Sequence, residues 1–193
     1  MSRPRGLRVI AGVARGRRLV APAGDHVRPT KDIAREAVFS ALEARGAVEG
    51  AAVLDLYAGT GALAIEALSR GAASATLVER DPAALAAIRT NLDVLPEDAA
   101  ADVVVVARDV TRYLGAPSPA VGPFDLVFVD PPYDTADADV TAVLAALTGP
   151  GRLAPDAIVS VERPHRHHVI APAGLRTGWE RTFGDTLLTF LFA

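Results

Sequence analysis

The chain has 193 residues, half of them hydrophobic, with a formal net charge of −3 and no cysteine. This length suits one domain with a full hydrophobic core, and the absence of thiols excludes disulfides, thiolate metal sites and cysteine nucleophiles. The sequence contains no run of 18 apolar residues and no apolar segment behind Met1. We therefore expect neither a transmembrane helix nor a signal peptide, and a soluble, cytoplasmic protein.

Charge is unevenly distributed along the chain. Residues 1–31 carry eight basic side chains and one acidic side chain, a balance of +7, which leaves −10 for the rest. Such asymmetry is typical of a basic arm that binds phosphates. A compositional bias toward arginine is the alternative, because Lys31 is the only lysine in the chain. The candidate phosphate contacts are Arg15, Arg17, Arg18, Arg28 and Lys31.

The first 45 residues predict a hairpin followed by a helix. Residues 7–20 read as two short strands around a turn rich in glycine and arginine. Thr30 is a candidate N-cap for a helix that ends near Gly46 and exposes Lys31 and Arg35. The apolar face of this helix is predicted to consist of Ile33, Ala37, Val38, Ala41 and Leu42. We assign residues 1–45 to a basic N-terminal extension and residues 46–193 to the main domain.

From Ala51 onward the pattern alternates between strands and helices. Continuous apolar runs at 51–56, 74–78, 102–106, 126–129 and 157–161 are typical of strands buried on both faces of a parallel sheet. Helices are predicted at 62–69 and 83–95, the second with Asp81 as N-cap and Pro82 in first position.

The C-terminus changes to an antiparallel pattern. Residues 179–183 and 186–192 are separated by Gly184-Asp185, which leaves room only for a hairpin. The predicted fold is therefore α/β, a Rossmann-like, doubly wound, mainly parallel seven-stranded sheet ending in an antiparallel C-terminal hairpin.

A glycine-rich segment, D-L-Y-A-G-T-G-A-L-A, joins the first parallel strand to a helix. Its Gly59 and Gly61 allow the backbone to approach a ligand closely at the carboxyl edge of the sheet. The spacing also fits a dinucleotide fingerprint, so a nicotinamide-dependent oxidoreductase is an alternative. Asp55, at the strand end, favours a ligand with an ammonium group, such as a methionine-derived cofactor.

Two further acidic residues follow neighbouring strands. Glu79 ends the second strand, where it could accept hydrogen bonds from both ribose hydroxyls of an adenosine, and Asp109 follows the third strand, where it could meet an adenine amino group. Polar strand ends without a ligand are the alternative for both residues.

The run F-D-L-V-F is followed by V-D-P-P-Y-D-T. Proline fixes its own φ and biases the preceding residue toward extended geometry, so Asp130 and Pro131 should be held extended as the chain leaves the sheet. Neither proline has an N–H that could compete for acceptors.

Together these motifs resemble the class I S-adenosylmethionine-dependent methyltransferases. Within that class the chain resembles the bacterial 16S ribosomal RNA guanine-N2 methyltransferases of the RsmD type. The likeness also includes R-V-I-A-G-V-A-R-G-R-R-L, V-R-P-T-K-D-I-A-R-E-A-V-F-S-A-L and the late F-G-D-T, which together extend over nearly the whole chain.

The resemblance implies methyl transfer from S-adenosylmethionine to N2 of a guanine in small-subunit ribosomal RNA, leaving S-adenosylhomocysteine. The Asp130 carboxylate and the Pro131 carbonyl would accept hydrogen bonds from the two N–H groups of the amine, and Tyr133 would stack on the base. The residues that would bind the cofactor are Asp55, Tyr57, Gly59, Gly61, Glu79 and Asp109. We further expect a monomer that acts on a small-subunit assembly particle, with no metal and no membrane association.

Alternatives remain at this point. The same core motifs occur in enzymes that methylate amino groups of other RNA or DNA bases, although only about 50 residues precede the core, too few for a sizeable DNA-recognition domain. A non-catalytic RNA-binding protein is a further alternative. His165, His167 and His168, with Arg163 and Arg166, lack metal-ligand spacing and predict a solvated loop.

Overall fold

The structure, a computed structural model, describes residues 6–22, 29–100, 102–116 and 122–193, with the side chains of residues 29–32 left out. Arg28 and the side chain of Lys31 therefore lie outside the described residues. In these ranges, no helix is both long and apolar enough to cross a membrane.

Helices and strands alternate along most of the described chain. In chain order they are α1 (Pro29–Glu43), β1 (Ala52–Leu56), α2 (Ala62–Ser69), β2 (Ser74–Glu79), α3 (Pro82–Leu92), a 3-10 turn (Asp98–Ala100), β3 (Val103–Ala107), α4 (Val110–Gly115), β4 (Phe124–Val129), α5 (Asp137–Leu147), β5 (Leu153–Pro164), β6 (Arg176–Phe183) and β7 (Thr186–Phe192). The predicted N-cap of α3 is confirmed, since the Asp81 side chain accepts the Ala84 N–H. Two helices, α4 and α5, have no counterpart in the sequence-based prediction.

The strands form one seven-stranded sheet in the order β3-β2-β1-β4-β5-β7-β6. The five strands from β3 to β5 are parallel, and β7 pairs antiparallel with both β5 and β6. This confirms the mainly parallel sheet with an antiparallel C-terminal hairpin. The carboxyl ends of the parallel strands consequently meet at one edge, where ligands bind in doubly wound folds.

Alternate residues of each strand pack into two hydrophobic cores, one on each face of the sheet. Val53, Leu77 and Phe128 face the core that contains α1, α2 and the N-terminal hairpin. Leu54 and Val127 face the other core, against α4 and α5. Only β3 departs from the predicted two-sided burial: Val104 is 42% exposed, because β3 is an edge strand.

The N-terminal hairpin is shorter than predicted, and its apolar side chains pack into the hydrophobic core. Arg8 and Arg18 form one isolated antiparallel bridge rather than two strands, and Val9 N–H donates to the Arg17 carbonyl at 3.0 Å. Leu7, Val9, Ala14 and Leu19 are buried in the same core as α1 and α2.

The predicted details of α1 require three corrections. The helix begins at Pro29, so Thr30 lies inside the first turn instead of capping it, with proline in its favoured first position. Ile33 is 58% exposed, whereas Ala34 and Phe39 are buried, so the buried face is rotated from the predicted one. Arg35, predicted to be exposed, is buried because its guanidinium donates to the Arg8 carbonyl at 2.6 Å.

Candidate cofactor and substrate site

Three carboxylates project from one face of the sheet at its carboxyl edge. Asp55 pairs in register with Leu77 and Phe128, and Glu79 and Asp130 each follow those partners by two residues. Residues two apart along an extended chain share a face. The structure thus brings together three of the predicted site residues, and it does so on the face that carries α2 and the N-terminal hairpin.

Asp55 is the most deeply buried of these three acids. It is 1% exposed, and its carboxylate accepts the Ala64 N–H from the first turn of α2 at 3.1 Å. Burial raises the pKa of Asp55 to about 8; the Ala64 hydrogen bond opposes this rise, while the charges of Asp130 and Glu79 add to it. A cation placed beside this carboxyl group would restore its ionised form.

The two glycines of the loop have different functions. Gly61 has φ +74°, and a Cβ atom there would lie 3.0 Å from Leu77 Cδ2, so this glycine is required for packing. Gly59 has φ +55°, but a Cβ atom there would meet no side chain within 4 Å. Gly59 is therefore the position where the loop presents open backbone toward a ligand.

Glu79 organises the glycine loop. Its Oε2 accepts the Gly59 N–H at 2.8 Å, and its Oε1 accepts the N–H groups of Arg80 and Asp81 at 2.7 and 2.9 Å. A carboxylate offers about four acceptor positions, so three are used inside the protein. The sequence-based prediction offered ribose binding or a polar strand end for Glu79, whereas the structure shows that it holds the glycine loop. Ribose binding stays a prediction.

Asp109 caps α4 and pairs with an arginine. Its Oδ1 accepts the Thr111 N–H at 3.0 Å, and its Oδ2 lies 3.0 Å from Arg80 Nη1. These contacts lower the pKa of Asp109, chiefly through the Thr111 hydroxyl hydrogen bond. Both oxygens thus have protein partners, as expected of a polar strand end; contact with an adenine amino group stays a prediction.

Tyr57 belongs to the glycine loop and is partly buried. Its backbone has φ +61°, a left-handed conformation that is uncommon for a residue other than glycine and costs about 1 kcal/mol or more. Burial, followed by the charges of Asp109 and Asp139, raises the pKa of the Tyr57 phenol. The ring packs against the core that contains α4 and α5, on the opposite face from Asp55.

The D-P-P-Y segment leaves β4 without regular structure and then turns. Pro131 is buried and Asp130 is half-buried, while Tyr133 is 38% exposed. The Pro132 carbonyl accepts the Thr135 N–H at 3.0 Å, which closes a tight turn around Tyr133. The extended geometry of Asp130 and Pro131, and stacking by Tyr133, stay predictions.

Arg163 was predicted to lie in a solvated loop, but it is 2% exposed in β5. Its Nη2 donates to the Thr135 carbonyl at 2.7 Å and to Asp137 Oδ1 at 3.0 Å. His167 Nδ1 also lies 2.8 Å from Asp137 Oδ1, and the hydrogen bonds from His167 and Arg163 lower the pKa of Asp137. Among the described residues, no three His, Asp or Glu side chains gather as metal ligands.

The predicted phosphate contacts are not all near the site. Arg15, Arg17 and Arg18 are exposed on the hairpin. The hairpin turn packs against Ser69, at the end of α2 remote from the glycine loop, because Val13 N–H donates to the Ser69 carbonyl at 2.8 Å. A helix of eight residues is about 12 Å long, so about this distance along α2 separates the hairpin turn from the glycine loop.

Two buried polar residues that the sequence-based prediction missed attach the hairpin to the site helices. Glu66, 0% exposed, accepts the Ile10 and Ala11 N–H groups at 2.7 and 2.9 Å. Asn91, 1% exposed, exchanges two hydrogen bonds with Val20 and donates a third to the Thr60 carbonyl at 2.9 Å. The sequence does contain one indication that Glu66 is buried: it is the only charged residue in the helix A-L-A-I-E-A-L-S.

The sheet order, the glycine loop at its carboxyl edge and the acidic ends of neighbouring strands define the class of α/β, Rossmann-like proteins that bind nucleotide-containing cofactors. The family model described as conserved hypothetical protein 95 matches residues 7–192. The chain belongs to this family.

Known proteins similar to this chain carry methyltransferase names. It is 38% identical over 156 residues to "Ribosomal RNA small subunit methyltransferase D" of Escherichia coli (strain K12), covering 81% of this chain and 74% of that protein. It is 33% identical over 183 residues to "Putative rRNA methyltransferase YlbH" of Bacillus subtilis (strain 168), covering 95% and 91%. The solved structure described as "Putative methyltransferase yhhF from Escherichia coli" aligns with TM-score 0.81 at 31% identity, covering 96% and 97%.

Proposed function

We propose that this protein transfers a methyl group from S-adenosylmethionine to the exocyclic N2 amine of a guanine in small-subunit ribosomal RNA. The observation that carries the proposal is the proximity of the two predicted sites. Asp130 lies within electrostatic reach of Asp55, on the same face and edge of the sheet, so D-P-P-Y stands beside the glycine loop. Relatives that cover most of the chain and are named as ribosomal RNA methyltransferases support this function.

The residues at the carboxyl edge fit S-adenosylmethionine. Asp55 is a buried carboxyl group whose ionised form needs a cation, which the ammonium group of the cofactor would provide. Gly59 leaves open backbone beside it, and the remaining acceptor position of Glu79 suits a ribose hydroxyl. Tyr57 and Asp109 would border the adenine. The cofactor supplies an electrophilic methyl group on a sulfonium centre, and S-adenosylhomocysteine is the product.

Asp130 and Pro131 would orient the attacking amine. The lone pair of the guanine N2 amine is delocalised into the ring, which makes this nitrogen a weak nucleophile. If the Asp130 carboxylate and the Pro131 carbonyl each accept one N–H, the lone pair turns toward the methyl group. The rate enhancement then comes mainly from positioning and electrostatics, and the amine proton becomes acidic as the C–N bond forms.

Tyr133 would hold the target base. Tyr133 is 38% exposed in a hydrogen-bonded turn, so part of this residue is accessible from solvent. Stacking of this kind contributes about 1–3 kcal/mol, which offsets part of the few kcal/mol needed to extract a base from its stack.

The basic arm would contact RNA phosphates. Arg15, Arg17 and Arg18 are exposed on the hairpin, and Arg28 and Lys31 complete the predicted set. Phosphate contacts confer affinity and register rather than choice of base. We assign this function to residues 1–45 and methyl transfer to residues 46–193, in a cytoplasmic monomer that acts on a small-subunit assembly particle without a metal.

The test is methylation of small ribosomal subunits from a strain that lacks this gene. Purified protein and radiolabelled S-adenosylmethionine should place label in N2-methylguanine at one nucleotide, and the Asp130→Ala variant should lose most of this activity while binding cofactor normally. Absence of label in N2-methylguanine overturns the specific proposal. Label in duplex DNA but not in RNA would instead indicate a DNA amino-methyltransferase.

Cofactor choice is tested separately by calorimetry with S-adenosylmethionine and NAD. We expect a heat of binding with S-adenosylmethionine and none with NAD, since Asp55 and D-P-P-Y have no function in hydride transfer. Binding of NAD alone would favour the oxidoreductase. If Asp130→Ala restores normal growth and subunit assembly to the deletion strain, the cellular function is RNA binding rather than catalysis.

A further inference from the structure

Arg163 lies beside the D-P-P-Y segment because β5 extends beyond β4. The last registered pair between these strands is Val129 with Val161, and β5 continues to Pro164. Continuing this register puts Arg163 level with Pro131. Residues two apart in a strand share a face, so Arg163 points toward the same side as Val161, which is the side covered by α5.

The guanidinium of Arg163 joins two parts of the chain that follow Tyr133. Its Nη2 binds the Thr135 carbonyl, which ends the turn around Tyr133, and the carboxylate of Asp137, the first residue of α5. His167 Nδ1 lies 2.8 Å from the same carboxylate oxygen. The charge of Arg163 also acts on Tyr57, where it slightly opposes the rise of the pKa of that phenol.

Stability alone does not explain a buried arginine here. A buried charge carries a large desolvation penalty, and apolar residues of similar volume often stabilise a protein at least as well as a buried ion pair. Arg163 is 2% exposed, its partner Asp137 is exposed, and its buried Nη1 has no hydrogen-bond partner among the described residues. We therefore infer that Arg163 serves to hold the loop after Tyr133 in one conformation rather than to increase the free energy of unfolding.

We propose that Arg163 is a positioning residue for the methyl-transfer reaction, which holds the turn Pro132–Thr135 and thereby sets the Tyr133 ring over the target base. This inference rests on the proposed function. Asp137 is the counter-ion that fixes the guanidinium, and His167 steadies that carboxylate. Arg163 itself touches neither the methyl group nor the amine.

The experiment compares Arg163→Met and Arg163→Lys with a matched control, Arg152→Met. Arg152 is also a buried arginine next to β5, and its Nη2 donates to the Leu114 and Ala116 carbonyls, but this contact lies at the opposite edge of the sheet. For each variant, kcat, KM for the RNA substrate, cofactor Kd and the midpoint of urea unfolding are measured. If Arg163→Met lowers kcat more than the other three quantities, Arg163 acts by positioning and not through general destabilisation.

We expect Arg163→Met to lower kcat by about 10- to 100-fold, because a displacement of about 1 Å at a reacting group can cost 100-fold. Cofactor Kd should change less than about twofold, and Arg163→Lys should recover part of kcat because one charged donor remains. Arg152→Met should leave kcat unchanged, whatever its effect on the midpoint of urea unfolding. Asp137→Asn, at an exposed position where folding is not endangered, should lower kcat several-fold.

The outcomes distinguish the two proposals. A wild-type protein that methylates no RNA overturns the proposed function and the positioning role with it. An active wild type with Arg163→Met and Asp137→Asn at wild-type kcat overturns the positioning role alone. If Arg152→Met loses as much kcat as Arg163→Met at equal stability, the effect is general and the inference is wrong.

Discussion

Asp55 determines how the site responds to pH. Its folded-state pKa is about 8, above the ordinary value of 3.8, because burial disfavours the carboxylate. Between these two values the folded protein holds a proton that the unfolded chain releases. The free energy of unfolding therefore falls as pH rises through this window, by at most about 1.4 kcal/mol per pH unit from this group.

We predict that Asp55→Asn removes this dependence. Asparagine has nearly the same shape and carries no charge, so the variant should gain stability relative to wild type as pH rises from about 5 to 8. Urea unfolding across that range measures the difference. Cofactor affinity should fall at the same time, since no carboxylate remains for the ammonium group. A variant whose stability tracks wild type at every pH would show that Asp55 is ionised in the folded protein.

Cofactor binding should also release a proton near pH 7. A cation beside Asp55 lowers its pKa, so the carboxyl group that is protonated in the free protein becomes ionised in the complex. Calorimetric titrations in two buffers of different ionisation enthalpy report the number of protons released, which should approach one for wild type. The Asp55→Asn variant serves as control and should release none.

The two loop glycines allow a matched pair of substitutions. Gly61→Ala should destabilise the fold by about 1–3 kcal/mol, because φ is +74° and the new Cβ would lie 3.0 Å from Leu77 Cδ2. Gly59→Ala has space for its Cβ and should cost only about 1 kcal/mol of backbone strain, but the methyl group would occupy the ligand side of the loop. Unfolding and cofactor titrations should therefore rank the variants in opposite orders.

The elements predicted well are those with a strong local signal. Apolar runs indicated the strands, and the Asp81-Pro82 pair indicated the start of α3, because these features depend on neighbours in sequence. A helix as short as α4, with six residues, carries too little periodicity to be recognised. The carboxyl-edge position of Asp55 followed from the parallel pattern alone.

Buried charges were predicted poorly because their partners are distant in sequence. Arg163 donates to Asp137 from 26 residues away, and Arg35 donates to the Arg8 carbonyl from 27 residues away. An arginine looks like a surface residue until the fold supplies its acceptor. For the same reason the scaffolding function of Glu79 toward Gly59, 20 residues away, could not be foreseen.

Asn91 links the hairpin, α3 and the glycine loop, and it allows a prediction at the level of these elements. Asn91→Ala would leave the Val20 backbone groups and the Thr60 carbonyl without this partner, at a cost of about 2–3 kcal/mol. Hydrogen exchange at the Val9 and Leu19 amides should accelerate, because the hairpin loses one of its anchors. The control is the adjacent Thr90→Ala, which is exposed and bonds only within its helix, with an expected change below about 0.5 kcal/mol.

At the scale of the whole molecule, the described hairpin and the acidic edge lie on one face of the sheet. Residues 1–31 carry +7 and the remainder −10, so the net charge outside the first 31 residues repels a polyanion. The hairpin is nevertheless held to this face by Glu66 and Asn91, through contacts with α2 and α3. If RNA binds the arm as proposed, it would run along α2 toward an edge that would not attract it otherwise.

The salt dependence of RNA binding tests this arrangement. Each phosphate contact to single-stranded RNA contributes about −0.7 to the slope of log K against log salt concentration, so the five predicted contacts give about −3.5. Replacing Arg15, Arg17 and Arg18 together by glutamine should reduce the slope by about 2 and weaken binding of unrelated RNA sequences equally. Anisotropy titrations from about 50 to 200 mM salt measure the slope. Arg112→Gln, an exposed arginine of α4 on the opposite face, is the control and should leave the slope unchanged. An unchanged slope in the triple variant would mean that RNA approaches by another surface.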